Sequence, residues 1–417
     1  MLSISGAVGA FAAPLAFPGA TGFGAKASGG RGGEIYHVTN LDDSGPGSFR
    51  DAVSKGRRIV VFDVGGYIGL KSVVPVASDI TIAGQTAPGE GVSTRDWEVS
   101  LSKSKNVIVR YMRFRLGLNP KQEKKYAVGM SESENIIFDH VSINWGRWDC
   151  IGMSKSDNIT LQNCIVGPGI KPQRFGALIE SDNVTFSHNL WISNQSRNPK
   201  SKGTVQYVNN VVYNWGVCGY VGGHSGADHN ADVINNYFIA GPSSGKNFVG
   251  EFAPTDHIFQ EGNLTDLDRD GKLNGRSAEK EDFGRDKEAA TLLNKPLMKP
   301  EVPVPADSAV EALRKVVTGA GCSLGRDGVD LKLIADVKSL GKSGSTIDSP
   351  DAMGGFGEIK GGPAKIKTSG DAIPDDWKRK HGLSLTDPNV ANSDRDNDGI
   401  TNIEEYLNEL AGGTAAK

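Results

Sequence analysis

The sequence predicts an all-β fold, a right-handed parallel β-helix that carries a small C-terminal helical calcium-binding module. Three observations carry the prediction. Short runs rich in Val, Ile, Leu and Phe return at intervals of roughly 21 to 29 residues, the spacing of stacked coils in a solenoid. Asparagine recurs at corresponding places in successive runs, at Asn163, Asn189, Asn210, Asn236 and Asn263, with His140 in the same slot one coil earlier. Gly is abundant, 54 residues in 417, aromatics make up only 7%, and no heptads are sustained; this describes a turn-dense β body rather than a helical one.

The runs themselves read as strands. In order they are SDITIAG from 78, KNVIVRYMRF from 105, ENIIFDHVSI from 134, DNITLQNCIV from 157, DNVTFSHNLWI from 182, GTVQYVNNVVY from 203, ADVINNYFIA from 231 and TDHIFQEGNLT from 255. Most open with Asp or Asn. Asparagine tolerates the left-handed backbone region and so suits a sharp corner between strands. In stacked parallel coils the corner amides would lie about 4.8 Å apart and bond to one another, as amide ladders do in cross-β stacks. A right-handed crossover is the expected hand. Such a stack leaves raw edges at both ends. LDDSGPGSFRDAVSKG, residues 41–56, offers a turn, an N-cap at Ser48 and a short amphipathic helix to cover the first coil. SAVEALRKVVTGAG, residues 308–321, is expected to close the other end, with the charged stretch 264–300 as a solvated excursion.

The chain divides into an apolar start (1–16), the β-helix (17–353), a Gly- and Lys-rich linker (354–370) and the helical module (371–411). The start contains an A-x-A-like stretch, Ala10-Phe11-Ala12, and reads as the remnant of an export signal, so a secreted or periplasmic location is expected. A net charge of −3 provides no global basic field for nucleic acid or anionic membrane, and no later stretch approaches the ~18 apolar residues of a membrane span. Cys150, Cys164, Cys218 and Cys322 are too few and too scattered for a disulfide framework and read as small buried apolar residues. None of these features speaks to oligomeric state.

Near the C-terminus, SDRDNDGITNIEEY sets Asp394, Asp396 and Asp398 at alternate positions, followed by Gly399 and, further on, Glu405. This is the spacing of an EF-hand or dockerin-like calcium loop. Three carboxylates converge on one hard cation, the glycine permits the turn, the Ile400 carbonyl adds an oxygen and Glu405 closes the site from the next helix. A single loop implies a structural Ca2+. DLDRDGKLN, from 266, lacks the closing Glu and reads as a charged loop.

Side chains leaving one face of neighbouring coils stand side by side although distant in sequence. Lys171 and Arg174 follow the strand at Asn158, and Arg197, Lys200 and Lys202 follow the strand at Asn183 one coil later, with Asp149 another coil back. Gathered cations beside a carboxylate suit recognition of an acidic polymer, because guanidinium forks match carboxylates. Trp145 and Trp148 are candidates either for stacking on sugar rings or for burial.

FPGATGFGAKASGGRGGEIYHVTNLDDSGPGSFRDAV, IIFDHVSINW, VTFSHNLWISNQSRNPK and VNNVVYNW together resemble polysaccharide lyase family 1, the pectate lyases, from Phe17 to the segment GRDGVDLKLIADV. The resemblance implies a calcium-assisted β-elimination that cleaves polygalacturonate. It puts Arg197 in the place of the base and Arg174 or Lys171 in the place of the cation that binds the substrate carboxylate. Arginine ordinarily keeps its proton to a pKa above about 12, so a base here needs neighbouring cations to disfavour its charge, and an alkaline optimum is expected. The chain departs from the family pattern after DHVSINW, where Asn144, Trp145 and Gly146 leave Asp149 as the clear metal ligand, with Asp139 a weaker candidate. Two other readings fit a β-helix: a glycoside hydrolase, for which the central coils offer Asp149 and Glu180, and a non-catalytic carbohydrate-binding solenoid.

Overall fold

A computed structural model describes residues 14–122, 124–284, 289–364, 367 and 369–412. Most of the expected export remnant, including Ala10 to Ala12, lies outside these residues. Parallel strands stack from Glu34–Val38 and Arg58–Phe62 through Lys105–Arg110, Glu134–Asp139 and Asp157–Gln162 to Asp256–Glu261 and Thr291–Leu292. A second set runs from Gly66–Gly69 through Ser142–Asn144 and Val211–Tyr213 to Leu264–Asp266. The register follows the sequence repeat: Val107, Ile136, Ile159, Val184 and Val205 are successive partners. The architecture is therefore a parallel β-helix. Its inward side chains form one continuous core in which Val107, Ile136, Ile159, Val184 and Val205 are completely buried, each contributing about 1.5–3 kcal/mol.

At the corner between the two sets, two neighbouring residues divide the roles that the sequence reading gave to one. Tyr111, His140, Asn163, His188, Asn209 and Asn235 adopt φ of 53–59°. The next residue inward builds the ladder. Nδ2 of Asn189 donates to Oδ1 of Asn210 (3.0 Å), Asn210 to Asn236 (3.1 Å) and Asn236 to Asn263 (2.9 Å), all buried. Asn163 and His140 thus stand one place off the ladder. Cys164 fills that slot and ends the column, its N–H donating to Asn189 Oδ1 at 2.8 Å. The doublets Asn209-Asn210 and Asn235-Asn236 fill both slots, which is why the columns look alike in sequence.

The first end is covered by α1 (Phe49–Val53), which sinks Phe49, Ala52 and Val53 into the core while Ser48 Oγ accepts from the Asp51 N–H. At the far end the expectation fails. α2 (Ala309–Gly319) and α3 (Gly328–Lys338) lie along a flank, packing on Leu190, Val211, Tyr213 and Tyr237. Phe283, in the 3-10 turn Lys280–Gly284, closes that end instead, buried and stacked 5.8 Å from Phe252. The surrounding charges concealed this single aromatic in the sequence.

The first and last described segments lie on the outer surface of the coils. Gly24 crosses the strands so closely that a Cβ would fall 2.3 Å from the Ile136 carbonyl oxygen. α4 (Asp375–Lys380) and α5 (Asn402–Leu410) share an apolar cluster with the coils, setting Trp377, Ile403, Tyr406 and Leu407 with Ile59, Val61 and Ala83. The stretch 354–370, expected as a linker, makes contacts of its own. Phe356 meets Tyr67 and Trp145 edge-on, and Lys360 N–H donates to Glu90 Oε2 at 2.9 Å. Among the described residues no helix is long and apolar enough to cross a membrane, and all four cysteines are buried and unbridged.

Candidate active site

Asp149, Phe175 and Ser196 are lateral neighbours on three successive coils. Each is next to, or is, a residue of the predicted cluster. Arg174 and Arg197 stand at equivalent corners, with φ of 60° and 61°. The Arg197 guanidinium lies 4.0 Å from the Phe175 ring centroid, a cation–π contact. Its Nη1 donates to both oxygens of Asp149 at 3.2 Å and, among the described residues, no other nitrogen of the group is hydrogen-bonded. Asp149 is sealed from solvent, whereas the Arg197 side chain keeps 21% of its exposure. Burial pushes the Asp149 carboxyl up to about 7 against the pull of Arg197.

An open cleft of about 400 Å³ lies over this pair, lined by Arg174, Phe175, Gln195, Arg197, Lys200 and Glu251. Sequence reasoning missed Glu251 and Phe175. Lys200 sits 3.7 Å from Glu251, and burial, assisted by the charge of Arg197, lowers its ammonium below the ordinary lysine value despite that carboxylate. Lys202 reaches Glu180 at 3.0 Å. Lys171 and Arg174 both hold Asp348, to which Arg174 Nε donates at 2.9 Å. Every predicted cation of the cluster is therefore already matched with a carboxylate. Of the five, Arg174, Arg197 and Lys200 line the cleft, and Lys171 and Lys202 stand outside its lining.

Among the described residues, the acidic groups around the cleft are each paired with a cation. Asp149, expected as a ligand, gives both oxygens to Arg197, because burial makes that cation its nearest source of compensation. Asp139 belongs to a different face, enclosed by Arg110 (2.9 Å), Gln162 and Asn163. Trp145 is fully buried and so forms wall rather than sugar platform. Among the described residues, the acidic or histidine side chains that converge as a cation site are Asp394, Asp396 and Asp398, which bring one oxygen each within 4.8 Å of one another. Gly399, at φ 89°, donates its N–H to Asp394 at 2.9 Å, and backbone N–H groups hold the Asp394 carboxyl below its ordinary value. Ile400 donates its own N–H to Asp398. Glu405 does not join the three carboxylates, because Arg395 Nε holds it at 2.8 Å.

No family model matches the chain. Its sequence is 42% identical over 402 residues to a probable pectate lyase C of Aspergillus flavus, covering 95% of this chain and 94% of that protein. Its fold is similar to the thermostable pectate lyase PL 47, with a TM-score of 0.56 at 13% identity over 75% of this chain and 99% of that one. A Bacillus pectate lyase in complex with trigalacturonate gives 0.50 at 18% identity, over 72% and 98% respectively. The coil stack is thus the one on which solved pectate lyases are built, and identity of this depth over nearly the full length of both sequences goes beyond a shared fold: the chain belongs to the pectate lyases, enzymes of the polysaccharide lyase type.

Proposed function

We propose that the cleft above Arg197 cleaves pectate or polygalacturonate-type uronic acid polymers by β-elimination, with Arg197 as the base. The observation that carries this reading is the guanidinium itself, held from below by Asp149 and Phe175 and presented to an open cleft beside Arg174 and Lys200. In the reaction the base takes the C5 proton of a uronate. The C5–H electrons form the C4=C5 double bond, and the C4–O bond breaks with its electrons leaving on the oxygen of the next sugar. Positive charge around the uronate carboxylate makes that C5 proton more acidic. Lys200 shares the cleft lining with Arg197 and Arg174, so the three cations face the same substrate. Arg174, Lys171, Lys200 and Lys202 take the substrate carboxylates in this reading.

Around the cleft, Asp149, Glu180 and Glu251 are each paired with a cation among the described residues, and calcium assistance there would draw on these same carboxylates. The residues that fit Ca2+ are Asp394, Asp396 and Asp398. A cation there would neutralise three crowded carboxylates and stiffen the turn that leads into α5. Residues 17–353 would then be the lyase domain and 371–411 a calcium-binding module held to it by 354–370. A secreted or periplasmic location suits a polymeric substrate.

Following the absorbance of the unsaturated product from polygalacturonate tests the reading, for wild type and Arg197→Gln, with and without chelator. New reducing ends without that absorbance would select the glycoside hydrolase, and neither signal would select the non-catalytic solenoid.

A further inference from the structure

Asp348 comes from the segment after α3, far from the cleft in sequence, yet it lies between the two cations that precede the strand Phe175–Ser187. One carboxylate oxygen faces Lys171 Nζ and the other the Arg174 guanidinium. Its backbone is fixed in place. Lys171 N–H donates to the Asp348 carbonyl and Arg174 Nε to the Ile347 carbonyl, both at 3.2 Å. Ile347 is buried in the flank cluster, and Thr346 N–H is tied to Ser243 Oγ at 3.0 Å. The Asp348 side chain itself is 53% exposed. A rigid segment thus presents a solvent-facing carboxylate to a cation pair, and Arg174 continues from that pair into the cleft lining.

We propose that Asp348 is a specificity-determining residue: it occupies the place of a uronate carboxylate at one end of the cleft, and a substrate carboxylate must displace it to engage Lys171 and Arg174. This rests on the reading of the cleft as a uronate site. The trio carries one net positive charge where the two cations alone would carry two. An exposed pair of this kind is held weakly, so rotation of the Asp348 side chain opens the position to a ligand carboxylate without moving the backbone. Asp348 therefore sets how strongly this end of the cleft prefers a free carboxylate over a methyl ester, which has no charge to compete with it.

The test compares wild type with Asp348→Asn and Asp348→Ser by titration calorimetry on de-esterified and on methyl-esterified galacturonate oligomers, together with KM on the corresponding polymers. The expected result is roughly 3- to 5-fold tighter binding and lower KM on the de-esterified ligand, with kcat and binding of the ester unmoved. Unchanged or weaker binding of the acid would overturn the proposal and make Asp348 a strut for Arg174. Equal tightening for acid and ester would overturn it too, because charge would not be what is exchanged. Should wild type release no unsaturated product, the lyase reading fails, and the calorimetric comparison still decides the role of Asp348.

Discussion

The two carboxylate oxygens of Asp149 lie at the same distance, 3.2 Å, from Nη1 of Arg197, on a carboxylate that solvent does not reach. The pair couples the proposed reaction centre to the wall of the β-helix, so a substitution at Arg197 has two separable effects. Arg197→Gln is expected to lower kcat by about 10²–10⁴, the usual contribution of a positioned acid or base. It also strands a buried carboxylate and so destabilises the fold. The double variant Arg197→Gln/Asp149→Asn should regain stability in a urea titration while product formation stays lost. Recovery of activity in the double variant would remove Arg197 from the chemistry.

Asp149 also predicts a pH dependence of stability. Its native carboxyl, raised to about 7 from an ordinary 3.8, holds a proton that the unfolded chain releases earlier. Between those values the native state binds more protons, so stability falls as pH rises through the window and levels off above about 7. Wild type should therefore lose more of its melting temperature between about pH 5 and about pH 8 than Asp149→Asn does. Parallel losses would show that this group does not titrate in the window.

The rate should move the opposite way. An arginine base points to faster product formation at about pH 9 than at about pH 6, and the lowered ammonium of Lys200 sets the limit on the alkaline side, where its charge is lost. Full activity at about pH 5 is the result that an arginine base does not survive.

At the C-terminal loop, Arg395 holds Glu405 with Nε at 2.8 Å and Nη2 at 3.2 Å. Ca2+ at a hundredfold excess over its Kd should raise the melting temperature on the order of 3–5 °C, and Asp396→Asn should abolish the rise. Arg395→Ala frees Glu405 and should tighten calcium binding by calorimetry. Unaltered affinity would show that Glu405 takes no part in holding the ion.

Within the asparagine column, Asn210 exchanges amide bonds with Asn189 and Asn236, whereas Asn263 has an asparagine on one side only. Removing either leaves buried backbone and amide groups without partners, at about 1–3 kcal/mol each. Asn210→Ala should lower the urea midpoint more than Asn263→Ala does. The reverse order would mean that the column is not the stabilising element.

The coil stack was legible because its cause is periodic: Ile136, Ile159 and Val184 repeat at a spacing that only stacked coils explain, and their register follows it. The corner was legible to within one residue, since Asn163 shares its backbone conformation with Asn209 while the ladder runs through Asn210. What the sequence could not disclose is which charges meet. Asp348 reaches Arg174 across 174 positions and Glu251 reaches Lys200 from two coils on, so a cluster that reads as surplus positive charge is largely offset by carboxylates from elsewhere in the chain. Phe283 escaped for a related reason, because a lone aromatic carries no period.

The apolar cluster under α4 and α5 has a consequence for the length of the chain. Ile59, Val61 and Ala83 look outward from the first coils and owe their cover to Trp377, Ile403, Tyr406 and Leu407. A protein cut before residue 371 would keep its entire cleft and yet show a greasy stripe down one side, an invitation for two such molecules to stick together. Residues 371–412 act as a coat of paint on the solenoid as much as a site of their own.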